Sequence, residues 1–85
     1  MKSFSYVIKD KVGLHARPAG LLAKEAKNFK SEIIIEKDGK CVNVQKLMQV
    51  MSMGIKCGDT VTVSVKGIDE EEAAQAMESF FCQNL

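Results

Sequence analysis

Hydrophobic and polar positions divide this chain into short, regular segments. In "SFSYVI", Phe4, Tyr6 and Ile8 fall on one side and Ser3, Ser5 and Val7 on the other, the period of a half-buried strand. From Ala16 to about Asn28 the period lengthens. Ala19, Leu22, Ala26 and Phe29 recur at spacings of three and four and form one apolar helical stripe. Arg17, Lys24 and Lys27 mark another face of the same helix. "EIIIEKDGKCVNV" reads as a hairpin, because Asp38-Gly39 suits the tight turn that needs positive φ at both central residues. "KLMQVMSMG" predicts a short helix stopping at Gly54, with Val50 inward. "TVTVSV" alternates strictly, Val61, Val63 and Val65 inward and Thr60, Thr62 and Ser64 outward. A last helix follows, with Ala73, Met77, Phe80 and Phe81 as its buried stripe. Asp69 and Glu72 have the spacing of a reciprocal capping box at its start.

The predicted order is therefore β-α-β-β-α-β-α. Amphipathic helices with short half-buried strands imply a two-layer α/β (α+β) sandwich, one sheet with helices on one face. At 85 residues the chain is expected to form a single domain, residues 1–85. No linker, repeat or low-complexity stretch interrupts it. The N-terminus lacks a signal-peptide core, and no run approaches the roughly 18 apolar residues of a membrane span, so a cytoplasmic location is expected. Cys41, Cys57 and Cys82 are odd in number and widely spaced. That fits neither a disulfide framework nor a metal-ligand set and points to three reduced thiols.

Net charge is +1, so nothing global favours nucleic acid. The distribution is uneven. Residues 1–30 hold Lys2, Lys9, Lys11, Arg17, Lys24, Lys27 and Lys30 against Asp10 and Glu25. From residue 59 onward the chain holds Asp59, Asp69, Glu70, Glu71, Glu72 and Glu78 against Lys66. A basic end of this kind attracts an acidic partner or a phosphate.

The candidate chemistry sits in "GLHARPAG", which contains the chain's one histidine, one arginine and one proline. Proline is tolerated in a helix only in its first turn, where its missing N–H has no intrahelical partner to lose. Pro18 therefore places the helix start near His15 or Ala16. The free amides and positive dipole end around Ala16, Arg17 and Pro18 make an anion site. Gly13 lets the chain turn sharply and keeps side-chain bulk away. Arg17 adds a planar fork of donors matched to phosphate oxygens. Neutral imidazole is a nucleophile, so His15 can accept a phosphoryl group there. The same residues also fit a surface histidine beside a cap with a solvated arginine. A lone histidine with no clustered carboxylates makes neither a metal site nor a Ser/His/Asp relay.

"GLHARPAGLLAKEAKNF" and "VNVQKLMQVMSMGIKCGDTVTVSVKGIDEEEAAQAM" resemble HPr, the histidine-containing phosphocarrier family of the sugar phosphotransferase system (PTS). The likeness runs nearly end to end. It implies an open-faced sandwich whose four-stranded antiparallel sheet carries helices on one face. It implies that His15 accepts a phosphoryl group through Nδ1 from phosphorylated enzyme I, that Arg17 lies beside that group, and that the group passes to a sugar-permease IIA domain. Leu47, Met48 and Met51 would then form an apolar docking patch with Lys24 and Lys27 as flanking charges. Core packing for the apolar three and a solvated face for the lysines are the alternatives. No cofactor, metal or direct membrane contact is implied, and a monomer is expected.

Two positions depart from the family pattern. Many relatives carry a regulatory serine just before the short helix, where this chain has Lys46, which cannot form a phosphate ester and is a poor N-cap. Val12 replaces a small polar residue and offers no side-chain hydrogen bond to the site. An HPr-like module that only docks to partners is the competing reading. A histidine-nucleophile hydrolase would need a further acid and more arginines than Arg17.

Overall fold

The computed structural model describes all residues, 1–85. The order is β1 (Lys2–Val7), α1 (Ala16–Ala26), β2 (Glu32–Lys37), β3 (Lys40–Asn43), α2 (Leu47–Ser52), β4 (Thr60–Lys66) and α3 (Glu70–Asn84). The four strands form one antiparallel sheet in the order β1-β4-β2-β3. This is the two-layer arrangement that the hydrophobic pattern predicts and the open-faced sandwich that the resemblance implies.

Register explains the core. Phe4 pairs with Val63, Val63 with Ile35, and Ile35 with Val42, so one row of apolar side chains crosses the sheet on its covered face. Ile33, Ile35, Val61, Val63 and Val65 are buried there against Leu22, Ala26, Ala73, Met77 and Phe81. The next row, Ser5, Thr62, Glu36 and Cys41, turns to the open face. Phe81 is fully buried and meets Phe4, Tyr6 and Phe80 edge-on at centroid distances of 5.8, 5.6 and 6.2 Å. Such aromatic pairs add about 0.5–1.5 kcal/mol each beyond burial. The hairpin turns at Asp38 and Gly39, with φ of 52° and 83°, as the tight turn requires. Cys41, Cys57 and Cys82 are exposed and unpaired.

Three local expectations are corrected. Strand β1 ends at Val7, and Ile8 is buried just beyond it. Helix α1 ends at Ala26 rather than Asn28, and Phe29 in the following turn is only partly buried. The Asp69–Glu72 capping box does not form. Asp69 stands at the N-cap of α3 without a side-chain bond to that helix. Its carboxylate instead accepts the backbone N–H of Lys30 at 2.8 Å and the hydroxyl of Ser31, tying the turn after α1 to the start of α3. The bonds from Ser31 and Lys30 hold the Asp69 carboxyl below its ordinary value. Glu70 accepts the Gly67 N–H at 3.2 Å, which braces the turn leading into the helix.

Loop 54–59 positions the His15 segment. Ile8 donates to Asp59 O at 2.9 Å, Gly58 donates to Ile8 O at 2.7 Å, and Leu14 donates to Ile55 O at 3.1 Å. Both ends of the loop between β1 and α1 are thus bonded to one segment. Gly13 lies between them with φ 81°, and a Cβ there would stand 2.4 Å from Ile55 O and 2.8 Å from Lys56 Cα. Both neighbours are backbone and cannot swing aside.

Asp69→Asn is expected to lower the melting temperature at neutral pH. The depressed carboxyl makes its contribution complete above the unfolded value near 3.8 and loses it as pH falls through the folded value. Melting curves of wild type and Asp69→Asn should therefore converge in acid; a gap independent of pH counts against the tether. Gly13→Ala should cost about 1–3 kcal/mol, through positive φ and backbone overlap together. Urea unfolding measures it, and an unchanged midpoint refutes the close approach.

Candidate functional site

His15 is the N-cap of α1, in extended conformation at φ −98° and ψ −172°. It arrives there by two constraints. The clasp at Leu14 holds the incoming chain, and His15 N–H closes on Gly13 O at 3.1 Å. Pro18 then occupies the first turn, buried, and Ala19 donates to His15 O at 2.9 Å as the first helical bond. The expectation that Pro18 marks the helix start is met.

The amides of Ala16 and Arg17 donate to no protein acceptor. With no acidic residue in the first turn, nothing within α1 neutralises this positive end. His15 is half-buried; Ala16 and Arg17 are exposed. His15, Arg17 and Pro18 line one open cleft of about 270 Å³, mouth included, with Asp10, Leu21 and Asn84. Three of the four residues expected from the sequence, all but Ala16, thus line one cleft, and three others join them unannounced.

Those three came from parts of the chain that carry no motif. Asp10 enters because β1 ends early and its side chain folds back to accept the Val12 N–H at 2.8 Å. Asn84 enters because α3 runs back across the molecule until Leu85 O accepts Lys9 N–H and Asp10 N–H at 2.6 and 2.7 Å. Only tertiary packing makes that meeting. Leu21 had a local signal: it lies off the Ala19, Leu22 and Ala26 stripe and is 41 % exposed, so its apolar surface borders the cleft.

Helix α2 packs against α1. Val50 faces the core at 1 % exposure, whereas Met48 is 76 % exposed and Leu47 and Met51 are 37 % and 38 % exposed. Large apolar side chains in water on a six-residue helix form a surface suited to a partner, and flexible methionine adapts to more than one. Lys24 and Lys27 are exposed on and just after α1. Lys46 is the N-cap of α2 and makes no side-chain cap bond. Val12 is exposed beside the clasp, an apolar side chain at that position. No three His, Cys, Asp or Glu side chains converge as metal ligands, and no helix is long and apolar enough to cross a membrane.

Comparison with known proteins places this arrangement. The family model "PTS HPr component phosphorylation site" matches residues 2–83. The phosphocarrier protein HPr of Mycoplasma genitalium is 45 % identical over 85 residues, 99 % of this chain and 97 % of that one. The HPr-like protein Crh of Halalkalibacterium halodurans is 51 % identical over 73 residues, 86 % of this chain and 87 % of that one. Among solved structures, the histidine-containing phosphocarrier protein of Mycoplasma superposes with a TM-score of 0.92 at 45 % identity, covering 96 % of this chain and 93 % of the other. A histidine-capped helix on an open-faced sandwich, matched almost end to end, leads to one assignment: this chain belongs to the HPr family and is a phosphocarrier of the phosphotransferase system.

Proposed function

We propose that His15 is the phosphoryl acceptor and that Arg17 and the amides of Ala16 and Arg17 receive the transferred group. The observation that carries this reading is the histidine at the N-cap of α1 beside two unpartnered amides, with the one arginine in the same cleft. The Nδ1 lone pair of His15 forms a P–N bond as the donor's bond to phosphorus breaks. The three phosphoryl oxygens then face amides and guanidinium, which offset negative charge without reorganising. A second attack, from a nucleophile on the receiving protein, reverses the step and regenerates the imidazole.

Stabilisation at this site is modest. A helix end contributes about 0.3–1 kcal/mol to an exposed charge. Modest holding suits a carrier, since a tightly bound phosphoryl group would not leave. Enzyme I is the donor and a sugar-permease IIA domain the receiver in this reading. Leu47, Met48 and Met51, with Lys24 and Lys27, form the surface on which both dock in turn. The chain acts as a single-domain cytoplasmic monomer, leaving that surface uncovered, and without a cofactor; it catalyses no reaction of its own.

Incubation with enzyme I and phosphoenolpyruvate, followed by intact mass analysis, tests the proposal. One acid-labile phosphoryl group is expected on the wild type and none on a folded His15→Ala variant. An adduct on His15→Ala moves the acceptor elsewhere, and no adduct on the wild type favours the docking-only module. Arg17→Lys should slow transfer without abolishing it, since charge survives and the planar fork does not. Equal rates in both directions would remove Arg17 from the site.

Lys46 generates a further prediction. The wild type should be refractory to the serine kinase that acts on relatives, whereas Lys46→Ser should be labelled and then accept phosphoryl groups on His15 more slowly. The introduced serine gains an N-cap acceptor worth about 0.5–2 kcal/mol. Its phosphate would lie against the apolar surface of α2, where desolvation opposes docking. Kinase labelling of the wild type, or an undiminished rate for phosphorylated Lys46→Ser, contradicts this.

A further inference from the structure

Lys37 ends β2, at the hairpin, and lies outside every motif in the chain. Its side chain is 18 % exposed, low for a lysine. The ammonium donates to Gly54 O at 3.1 Å and meets Asp59 Oδ2 at 2.8 Å. Gly54 and Asp59 are the two ends of the loop that clasps the His15 segment. The same Asp59 Oδ2 accepts Lys56 N–H at 2.8 Å, and Asp59 N–H donates to Lys56 O at 3.0 Å. One cation thus closes a six-residue loop from both ends and fastens it to the sheet. The loop's interior supplies Ile55 O to Leu14 and the backbone wall against Gly13. Its end supplies Asp59 O to Ile8. From Lys37 to His15 the path is an unbroken run of bonds and contacts: Gly54 and Asp59, then Ile55, then Leu14 and Gly13.

We propose that Lys37 and Asp59 are positioning residues for phosphoryl acceptance, stapling loop 54–59 so that it holds both ends of the His15-bearing loop at fixed separation. The staple touches no substrate. Most surface ion pairs contribute little because solvent screens both partners. This one is four-fifths withdrawn on the lysine side and is shared with a backbone carbonyl, so it constrains geometry. Bonding to Lys37 and to the Lys56 amide also holds the Asp59 carboxyl below its ordinary value, so the pair stays charged further into acid. In-line transfer is sensitive to placement, and a displacement of about 1 Å can cost roughly 100-fold in rate. The inference rests on His15 being the acceptor, and its test separates the two.

The test measures transfer from phosphorylated enzyme I to Lys37→Met, Asp59→Asn, Lys37→Arg and Asp69→Asn. Lys37→Met keeps the aliphatic stem and removes the cation. Lys37→Met and Asp59→Asn should lower kcat about tenfold, with KM within about twofold, because the docking surface is untouched. Lys37→Arg should recover most of the loss, since a guanidinium can still reach both acceptors. Asp69→Asn, the tether between the turn after α1 and α3, should match their melting-temperature loss without slowing transfer. Unchanged kcat, an effect confined to KM, or equal slowing in Asp69→Asn overturns the staple. Hydrogen exchange at the Leu14 amide gives a second reading that needs no transfer. It should quicken about tenfold in Lys37→Met and Asp59→Asn while the Val63 amide is unaffected. If Lys37→Met fails to fold, Asp59→Asn and Lys37→Arg decide the question. If wild-type protein takes no phosphoryl group, the acceptor assignment fails and Leu14 exchange alone still decides the staple.

Discussion

The contact of Gly13 with the backbone of Ile55 and Lys56 is the constraint on which the candidate site depends. A helix start carrying histidine, arginine and proline can form anywhere on a surface. Here it is brought to one place because the preceding chain lies flush against loop 54–59, closer than any Cβ permits. That approach lets Leu14 bond to Ile55 O, and the bond directs His15 into the N-cap of α1. Loop 54–59 is held in turn by Ile8, at the end of β1, and by Lys37, at the end of β2. The sheet thus reaches the His15 segment by two routes, backbone bonds at Ile8 and Leu14 and the side chain of Lys37.

The site itself is electrostatically simple. Arg17 at the start of α1 and, opposite in charge, Asp10 border an open cleft, and the Ala16 and Arg17 amides at that helix start have no protein acceptor. Nothing encloses it, so water screens every charge and the hold on an anion stays weak. On this account the protein contributes placement more than strength. Placement is also what two partners require if each must meet the same imidazole in line. Leu21 is exposed on α1, and α2, which packs against α1, exposes Leu47, Met48 and Met51. In the proposed docking, a partner seated on Leu47, Met48 and Met51 would be registered to the cleft through that packing.

Local signals carried most of the fold. "TVTVSV" became β4 with its three valines buried, and Asp38-Gly39 became the hairpin turn. Pro18 located the start of α1, and Val50 faced inward while Met48 faced out. Each is a property of residues a few positions apart. The misses share the opposite character. Asp69 and Glu72 had capping-box spacing, but Ser31 and the Lys30 amide, 38 and 39 residues away, claimed the aspartate. Asp10 and Asn84 meet at the cleft only because α3 returns to the loop after β1. Lys37 carries no local signal that sets it apart; only the fold closes Gly54 O and Asp59 around it. Helix periodicity also continues past Ala26 in sequence, whereas the chain leaves α1 there to reach the Asp69 tether. Periodicity registers which face is buried; it does not register which distant group will claim a polar side chain.

Amide NMR of the chain before and after exposure to phosphorylated enzyme I tests the central claim most directly. If the clasped N-terminus of α1 receives the group carried by His15, the Ala16 and Arg17 amides should shift furthest downfield and exchange more slowly. The amides of β4 should hold their positions, because a preformed site needs no rearrangement of the sheet. Phosphorylation that leaves Ala16 and Arg17 unmoved, or that moves the sheet more than the helix start, would contradict the account.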